Sequence, residues 1–499
     1  MDDFLKMDNI YNRKLTRGNY DTDFSILNQG NTFPSAEVRG RNKVYRFNKK
    51  LFSGEYSYNR NLVALIDDVP TEIPYKVLPI NQFELIVNKI DALLFSNEIV
   101  VSTGDINRDK EIQKLIDKTH WVRDIRKGVK LCQIYGDAVL KTGRHGVSCF
   151  PPLFAYKVVD ESNKDKVLGF VLHEIIYEKS SKNSSNRYKP THIRIIISSC
   201  GYEYERIYEY KGSNKIGTIG RPVRYKYKDR WISKNGNYYY TEIPDCETVQ
   251  WLSINSEKDG LYGASAFDNV KSIVLALENR LSTEQWILDN HAKPILLLGM
   301  SSVISNEKTG TYTASIIQGK YMLKKGDGEK PEYLTWDGKL ESSKEFRESL
   351  KEIFYELTEM GKTFLSGEYT GNVSEESLNN MIKSALDRGN RILNELYYDI
   401  RKSLYILCKL NGIKVNIEDI TINFNIGRVD DTKVIADTCK TLNEIGLFSK
   451  ETLRSKFFGF NQDDSTAEEE RINKESLNVD TNRKDYGGMI DGDTNTTEP

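Results

Sequence analysis

The sequence predicts an α+β fold, on three observations. Residues 137–255 hold runs rich in β-branched and aromatic residues with period-two alternation, broken by turn signals such as Asn235-Gly236. From Ser265 onward the apolar residues fall at spacings of three and four, the mark of amphipathic helices. The 29 Tyr and 19 Phe among 499 residues supply enough apolar area for packed cores, so wholesale disorder is not expected. A chain of this length is expected to divide into about two to four units.

Residues 1–80 are polar with scattered aromatics. Within them Arg39, Arg41, Lys43, Arg46, Lys49 and Lys50 form a basic run with Tyr45 and Phe47 interleaved. Such a run reads either as a nucleic-acid patch or, more simply, as a solvated face. A helix is expected over 81–95, with Phe83, Val87, Ile90 and Leu94 on one face. A second is expected over 109–135, ended by Gly136. Strands are expected at Val167–Ile176, His192–Ser199, Tyr202–Tyr210 and Tyr238–Ile243.

The second half reads differently. One helix is expected over Ser265–His291, where Phe267, Val270, Val274, Leu277, Leu281 and Leu288 make a narrow seam of the coiled-coil kind. Lys293-Pro294 stops it, since proline disfavours helix in the residue before it. Residues 295–340 are strand-like and glycine-rich. A further helix is expected over 342–360, with Phe346, Leu350, Ile353, Leu357 and Met360 as its seam and Ser342 and Ser343 as N-caps. A loop over 361–374 then leads into a very long helix ending near Leu410, closed by Gly412. A strand (420–426), two shorter helices (about 430–445 and 449–457) and a polar tail complete the chain. From Gln462 that tail carries 11 acidic and 4 basic residues, and its last part is expected to be disordered.

The charges nearly cancel: 71 basic and 72 acidic residues leave a net charge of −1. A protein that wraps DNA tightly carries a basic excess. Any DNA contact here is therefore loose, sliding, or made by a few local groups. The six cysteines are far apart, with no C-x-x-C and no Cys/His cluster, so neither zinc nor a redox pair is expected. The start, MDDFLKMDNIYNRK, is acidic and lacks an apolar run, so it does not read as a secretory leader. No stretch approaches the ~18 apolar residues of a membrane span.

Motifs for catalysis are missing. Gly361-Lys362-Thr363 looks like the end of a phosphate-binding loop, but Glu356 stands where the first glycine belongs and a helix precedes it where a strand should. His120, His145, His173, His192 and His291 are isolated in sequence, and no G-x-S-x-G occurs.

Four segments carry a resemblance. Tyr262-Gly263-Ala264-Ser265 precedes the helix at 265–291, and Pro294-Ile295-Leu296-Leu297-Leu298-Gly299 leaves it. VNKIDALLFSNEIVV (87–101), the helix at 377–407, and the C-terminal stretch 430–475 follow in an order that resembles the portal proteins of tailed phages infecting Gram-positive bacteria. The resemblance covers roughly 80–475. The small-residue patch that commonly precedes the long helix is replaced here by residues 370–378, so the boundaries of the preceding loop are blurred.

The resemblance implies a portal fold in an α+β setting. It places a mixed α/β wing at 1–264, with 1–80 poorly defined, and stem helices at 265–292 and 342–360. A small β-containing clip would lie at 293–341 and a tunnel loop at 361–376. The long helix and a returning wing strand would take 377–428, an α-helical crown 429–475, and an acidic disordered tail 476–499. It implies a homo-oligomeric ring, of twelve subunits, at the capsid vertex, through which double-stranded DNA is packaged and ejected. Its partners would be the terminase large subunit, head-completion or adaptor proteins, and the major capsid and scaffolding proteins. No membrane, cofactor, metal or catalytic residue is implied. The location would be the virion, with the host cytoplasm during assembly.

Lys362, Thr363, Arg347 and Lys351 are the expected DNA-channel residues. The stem residues Phe267, Val270, Val274, Leu277, Leu281, Leu288, Phe346, Leu350, Ile353 and Leu357 are expected to pack between subunits, because two narrow-seamed helices have too little apolar surface to satisfy each other. Aspartates at Leu277 and Leu281 are then expected to abolish rings and spare the wing. The alternatives are another virion ring or baseplate component, and a nucleic-acid-processing enzyme.

Overall fold

The computed structural model describes residues 30–56, 59–66, 69–159, 167–179, 188–199, 202–213, 215–240, 248–256, 262–291, 295–299, 304–306, 311–313, 321–324, 332–334, 341–367, 375–426, 439–446, 449–458 and 465–474. The chain forms two compact units, 1–427 and 428–499.

The first unit opens with β1 (Thr32–Phe33) and α1 (Ala36–Ser53). Ser35 caps α1 by accepting from the Val38 N–H, and Gly54 ends it in the left-handed conformation. This helix carries the basic run of residues 39–50, which is in part the expected solvated face and in part core. Val38, Tyr45 and Leu51 are buried, and so is Arg41, while Lys43, Lys49 and Lys50 stay in solvent.

A hairpin of β2 (Asn59–Ile66) and β3 (Val69–Lys76) leads to α2 (Gln82–Leu94), where Phe83, Val87, Ile90 and Leu94 are buried as their spacing predicts. After β4 (Ile99–Ser102), the expected single helix is in fact two, α3 (Ile106–Thr119) and α4 (Trp121–Tyr135). His120 breaks it with a φ of 54°. The turn lets Trp121 enter the core, where its indole N–H donates to Ser403 Oγ at 3.2 Å.

Among the described residues, eleven strands follow. They are β5 (Asp137–Gly143), β6 (Gly146–Phe150), β7 (Ala155–Val159), β8 (Val167–Lys179), β9 (Tyr188–Ser199) and β10 (Tyr202–Gly212). The rest are β11 (Gly217–Pro222), β12 (Tyr225–Tyr227), β13 (Arg230–Ile232), β14 (Asn237–Tyr240) and β15 (Val249–Ser253). One antiparallel sheet runs β1-β11-β10-β9-β8-β7, with β14 also on β10. A smaller sheet runs β15-β5-β6. Period-two alternation gives the large sheet two apolar faces: Val171, Ile193 and Ile195 on one, Phe170, Leu172 and Ile196 on the other.

The helix expected from Ser265 begins as a 3₁₀ turn, Asp268–Val270, and continues as α5 (Lys271–His291). Short strands follow: β16 (Ile295–Gly299), β17 (Ile304–Asn306), β18 (Thr311–Thr313), β19 (Tyr321–Lys324) and β20 (Glu332–Leu334). β16 lies between β19, parallel, and β20, antiparallel, while β17 pairs with β18. Then come α6 (Glu341–Leu357), α7 (Gly361–Ser366) and the 36-residue α8 (Glu375–Leu410). β21 (Thr421–Phe424) returns to pair with β4.

α7 corrects the loop expected at 361–374, whose residues 368–374 lie outside the described set. In the second unit, helical stretches cover 439–444, Lys450–Phe458 and 465–474. The last of these lies inside the polar tail, and Arg454 donates to the Ser465 carbonyl at 3.1 Å. The expected disordered end, 476–499, and the first part of the expected helix at 430–445 lie outside the described residues.

The main core gathers α1 to α4, the start of α5, the end of α6, and one face of α8 (Ile392, Leu396, Ile400, Leu404, Leu407). On the neighbouring flank of α8, burial pushes the Asp399 carboxyl up to about 6, although Lys402 and Lys157 oppose it. The protonated acid thus favours the folded chain. The penalty is complete above pH 6 and gone below the unfolded value of ~4. Asp399→Asn is expected to stabilise the protein by about 1–2 kcal/mol at pH 7.5 and to be neutral near pH 4. Thermal melts at the two pH values check this, and an equal effect at both would contradict it.

Candidate subunit-packing and channel residues

The entry into α5 is built around a carboxylate. Asp137, fully buried at the start of β5, accepts from Tyr45 Oη at 2.6 Å, Trp251 Nε1 at 2.9 Å, Ser253 Oγ at 2.6 Å and the Gly263 N–H at 2.9 Å. Arg41 completes the set, 3.2 Å from Asp137 Oδ2 and also donating to the Gly263 carbonyl. Its guanidinium lies over the rings of Tyr45 and Tyr262, 5.1 and 5.0 Å from their centroids. Burial, and then the Asp137 charge, push the Tyr45 phenol well above its ordinary range.

The Tyr262-Gly263 turn now has a physical reason. A Cβ on Gly263 would collide with the backbone of Gly136, and one on Gly136 with that of Gly263. Two chain segments cross there with no room for a side chain.

α5 and α6 pack together along a mixed seam. Ser343 Oγ and Arg347 both donate to Glu284, each at 2.5 Å, and Leu350 and Phe354 are buried on the same face of α6. The spacing 343, 347, 350, 354 is one helical stripe. Ser343 is therefore a seam residue inside the helix rather than the expected cap, because α6 already begins at Glu341. On α5, Glu278 accepts from Tyr56 Oη at 2.5 Å and from the Ile80 N–H at 2.9 Å, which ties residue 80 to the helix. Burial pushes its carboxyl up, against those two hydrogen bonds.

The expected apolar seam is split by this arrangement. Phe267, Val270 and Val274 lie in the subunit's own main core, with the Phe267 ring 5.1 Å from that of Phe83, and Leu277 is only 3% exposed. Leu350 is buried, and Leu281 is half-buried. These six are not a bare stripe awaiting a neighbour, because the subunit covers them wholly or in large part.

What remains outside is a second stripe on α6. Phe346 is 54% exposed, Ile353 and Leu357 are 40% exposed, and Leu288 on α5 is 51% exposed. At 100° per residue, 346, 353 and 357 share a face turned about 60° from the 343/350/354 seam. Arg280 caps one end, 5.5 Å over the Phe346 ring.

The candidate channel residues fall into two pairs, Arg347 and Lys351 one turn apart on α6 and Lys362 and Thr363 at the start of α7. Arg347 is bound to Glu284. Lys351 donates to Glu348 at 2.9 Å and holds that carboxylate below its usual range. Lys362 is exposed at the start of α7, and Thr363 is half-buried beside it. The turn before α7 is held from outside by Arg388, which donates to the carbonyls of Thr358 and Ala266, and by Arg391, paired with Glu359. Burial pulls the Arg388 guanidinium down to about 10.

Sequence reasoning missed Asp137, Arg41, Glu284 and Arg388. Only Arg41 gave a signal, as one cation in a basic run. Among the described residues, no group of three or more His, Cys, Asp or Glu is placed to hold a metal ion. Among them, too, no helix is long and apolar enough to cross a membrane.

Residues 41–480 match the family described as phage portal protein, SPP1 Gp6-like. No curated protein matches the chain. Among solved structures it is similar to the neck of an empty GTA particle computed with C6 symmetry, at 12% identity and a TM-score of 0.40, covering 74% of this chain and 87% of that one. The neck of a native GTA particle computed with C12 symmetry gives 10% identity and 0.40, with the same coverage. The virion of a native gene transfer agent particle gives 12% identity and 0.37, covering 76% and 88%.

Proposed function

This chain belongs to the phage portal protein family of the SPP1 Gp6-like type, which is structural rather than enzymatic, and on that premise we propose that it closes into a ring whose central channel passes double-stranded DNA. The observation that carries the ring is the stripe Phe346, Ile353, Leu357. A soluble subunit with an apolar helical face standing beside an already satisfied seam gains by covering that face with a sister copy. A heterologous contact repeated around an axis closes a ring.

In this reading α5 and α6 are the stem, and the short strands β16 to β20 are the clip that meets the terminase and later the head-completion proteins. Residues 361–376 line the tunnel, α8 braces them, and 429–475 form the crown. The subunit number is twelve. Near-zero net charge suits passage of DNA, since a strongly basic wall would hold phosphates by counterion release. Lys362 and Thr363, at the start of α7, serve as guiding groups in this reading.

Electron microscopy of the purified chain tests the proposal. Class averages are expected to show rings with a central channel wide enough for duplex DNA and a stem narrower than the wing. Closed particles without a channel would refute it.

A further inference from the structure

We propose that the open edge of β8 binds an extended acidic segment of a partner protein, which adds to the large sheet as a further strand. The inference does not depend on the ring reading.

Among the described residues, no strand covers the far part of that edge. β7 covers β8 only as far as Leu172, opposite Ala155. From His173 to Lys179, β8 pairs with β9 on one side and, among the described residues, with no strand on the other. An unpaired edge presents a row of backbone donors and acceptors and is a template for another chain.

A cavity of about 780 Å³ lies at this edge, within the range of ligand-binding clefts. It is lined by His173, Ile175 and Tyr177 and also by Leu172 and Glu174. Successive residues of a strand point to opposite faces, so the cavity reaches both faces of the sheet around its rim. An added strand fills such a space, because its own side chains alternate between the two faces in the same way. A compact small molecule would occupy one face and leave the rim unpaired.

The chemistry of the walls favours acidic residues. Arg46, Lys141, Arg194 and Lys228 line the cavity against the single carboxylate Glu174. Lys141 is balanced by Glu203 at 2.8 Å, and Arg194 by Glu205 at 2.5 Å. Glu174 also accepts from Tyr227 Oη at 2.6 Å. Neither Arg46, on α1, nor Lys228 forms an ion pair among the described residues, which leaves uncompensated positive charge on the cleft wall.

Two lining groups also lack partners. Asn42 Oδ1 and His173 Nδ1 are buried without a hydrogen bond, on side chains that are 3% and 9% exposed. An unmet polar atom of this kind costs about 1–3 kcal/mol, and backbone amides or polar side chains of an entering strand would meet it. Burial, and then Arg46, pull the His173 imidazole down to about 4, so at neutral pH it is an uncharged ring that hydrogen-bonds through either tautomer.

The test titrates the full chain with a fluorescein-labelled octapeptide of alternating Glu and Val, read by anisotropy. Saturable binding is expected, with an alternating Lys–Val peptide failing to bind. Arg46→Glu is expected to weaken binding by at least about tenfold. Its circular dichroism and melting are compared with the parent, and Arg46→Gln replaces it if the charge reversal does not fold. Two further peptides carry N-methyl groups on odd or on even amides. Strand addition predicts that one loses binding and the other keeps it, since only alternate amides face the edge. Equal binding of both methylated peptides, equal affinity for the Glu and Lys peptides, or no effect at Arg46 would overturn the proposal. So would phenylacetate occupying the cleft while the octapeptide does not bind, which would make it a small-acid site.

Discussion

Asp137→Ala is expected to cost the subunit about 3–5 kcal/mol, the range for breaking a buried ion pair from one side. The aspartate is fully buried, and its oxygens collect four side-chain donors and one backbone N–H. Deleting it removes the carboxylate that balances the buried Arg41 guanidinium, which also donates to the Gly263 carbonyl and lies over two ring faces. The Trp251 indole N–H and the Gly263 N–H lose their acceptor as well. Domains are stable by only about 5–15 kcal/mol, so the variant stands close to unfolding. A urea titration at fixed protein concentration reads the effect, and a loss below about 1 kcal/mol would show that the cluster is not a structural hub. Asp137→Asn keeps the shape but not the charge, and is expected to fall between the two.

Phe346→Asp combined with Ile353→Asp is expected to abolish rings and leave the subunit folded. Both side chains are exposed in the isolated chain, Phe346 at 54% and Ile353 at 40%, so charging them costs the monomer far less than a core change. In a ring the same aspartates would be desolvated against a neighbour's apolar surface, at several kcal/mol per contact repeated around the circle. Sedimentation velocity together with far-ultraviolet circular dichroism separates the outcomes. Intact rings would remove this stripe from the interface. Leu277 and Leu281 no longer serve as this test. Leu277 is buried within its own subunit, so an aspartate there damages the fold before it reports on assembly.

Much of the architecture was legible in local pattern. Phe83, Val87, Ile90 and Leu94 announce α2 by spacing alone, and the stripe from Ile392 to Leu407 announces α8. The strands β8, β9 and β10 follow from alternation, because one residue in two must face each side of a sheet. Less legible was α1, whose apolar positions are diluted by lysines and arginines that only the fold sorts into inside and outside. The break at His120 was missed as well, since the apolar period runs across it and a positive φ at a non-glycine leaves little trace in sequence. α7 leaves no helical signal in the sequence, because six residues are too few to show a period.

The sequence by itself determined the α+β class, the order of the long elements, the turn at Tyr262-Gly263 and the membership of a portal family, because these rest on short-range pattern and on motifs in order. Which apolar residues face outward was decided only in three dimensions. Phe267 and Phe346 look alike in their stripes, yet one packs against Phe83 and the other stands in solvent, since burial depends on segments far away in the chain. The same holds for Asp137 and Arg41, 96 positions apart. A buried charge is tolerable only where folding supplies its partners at hydrogen-bond distance, and no local pattern records that encounter.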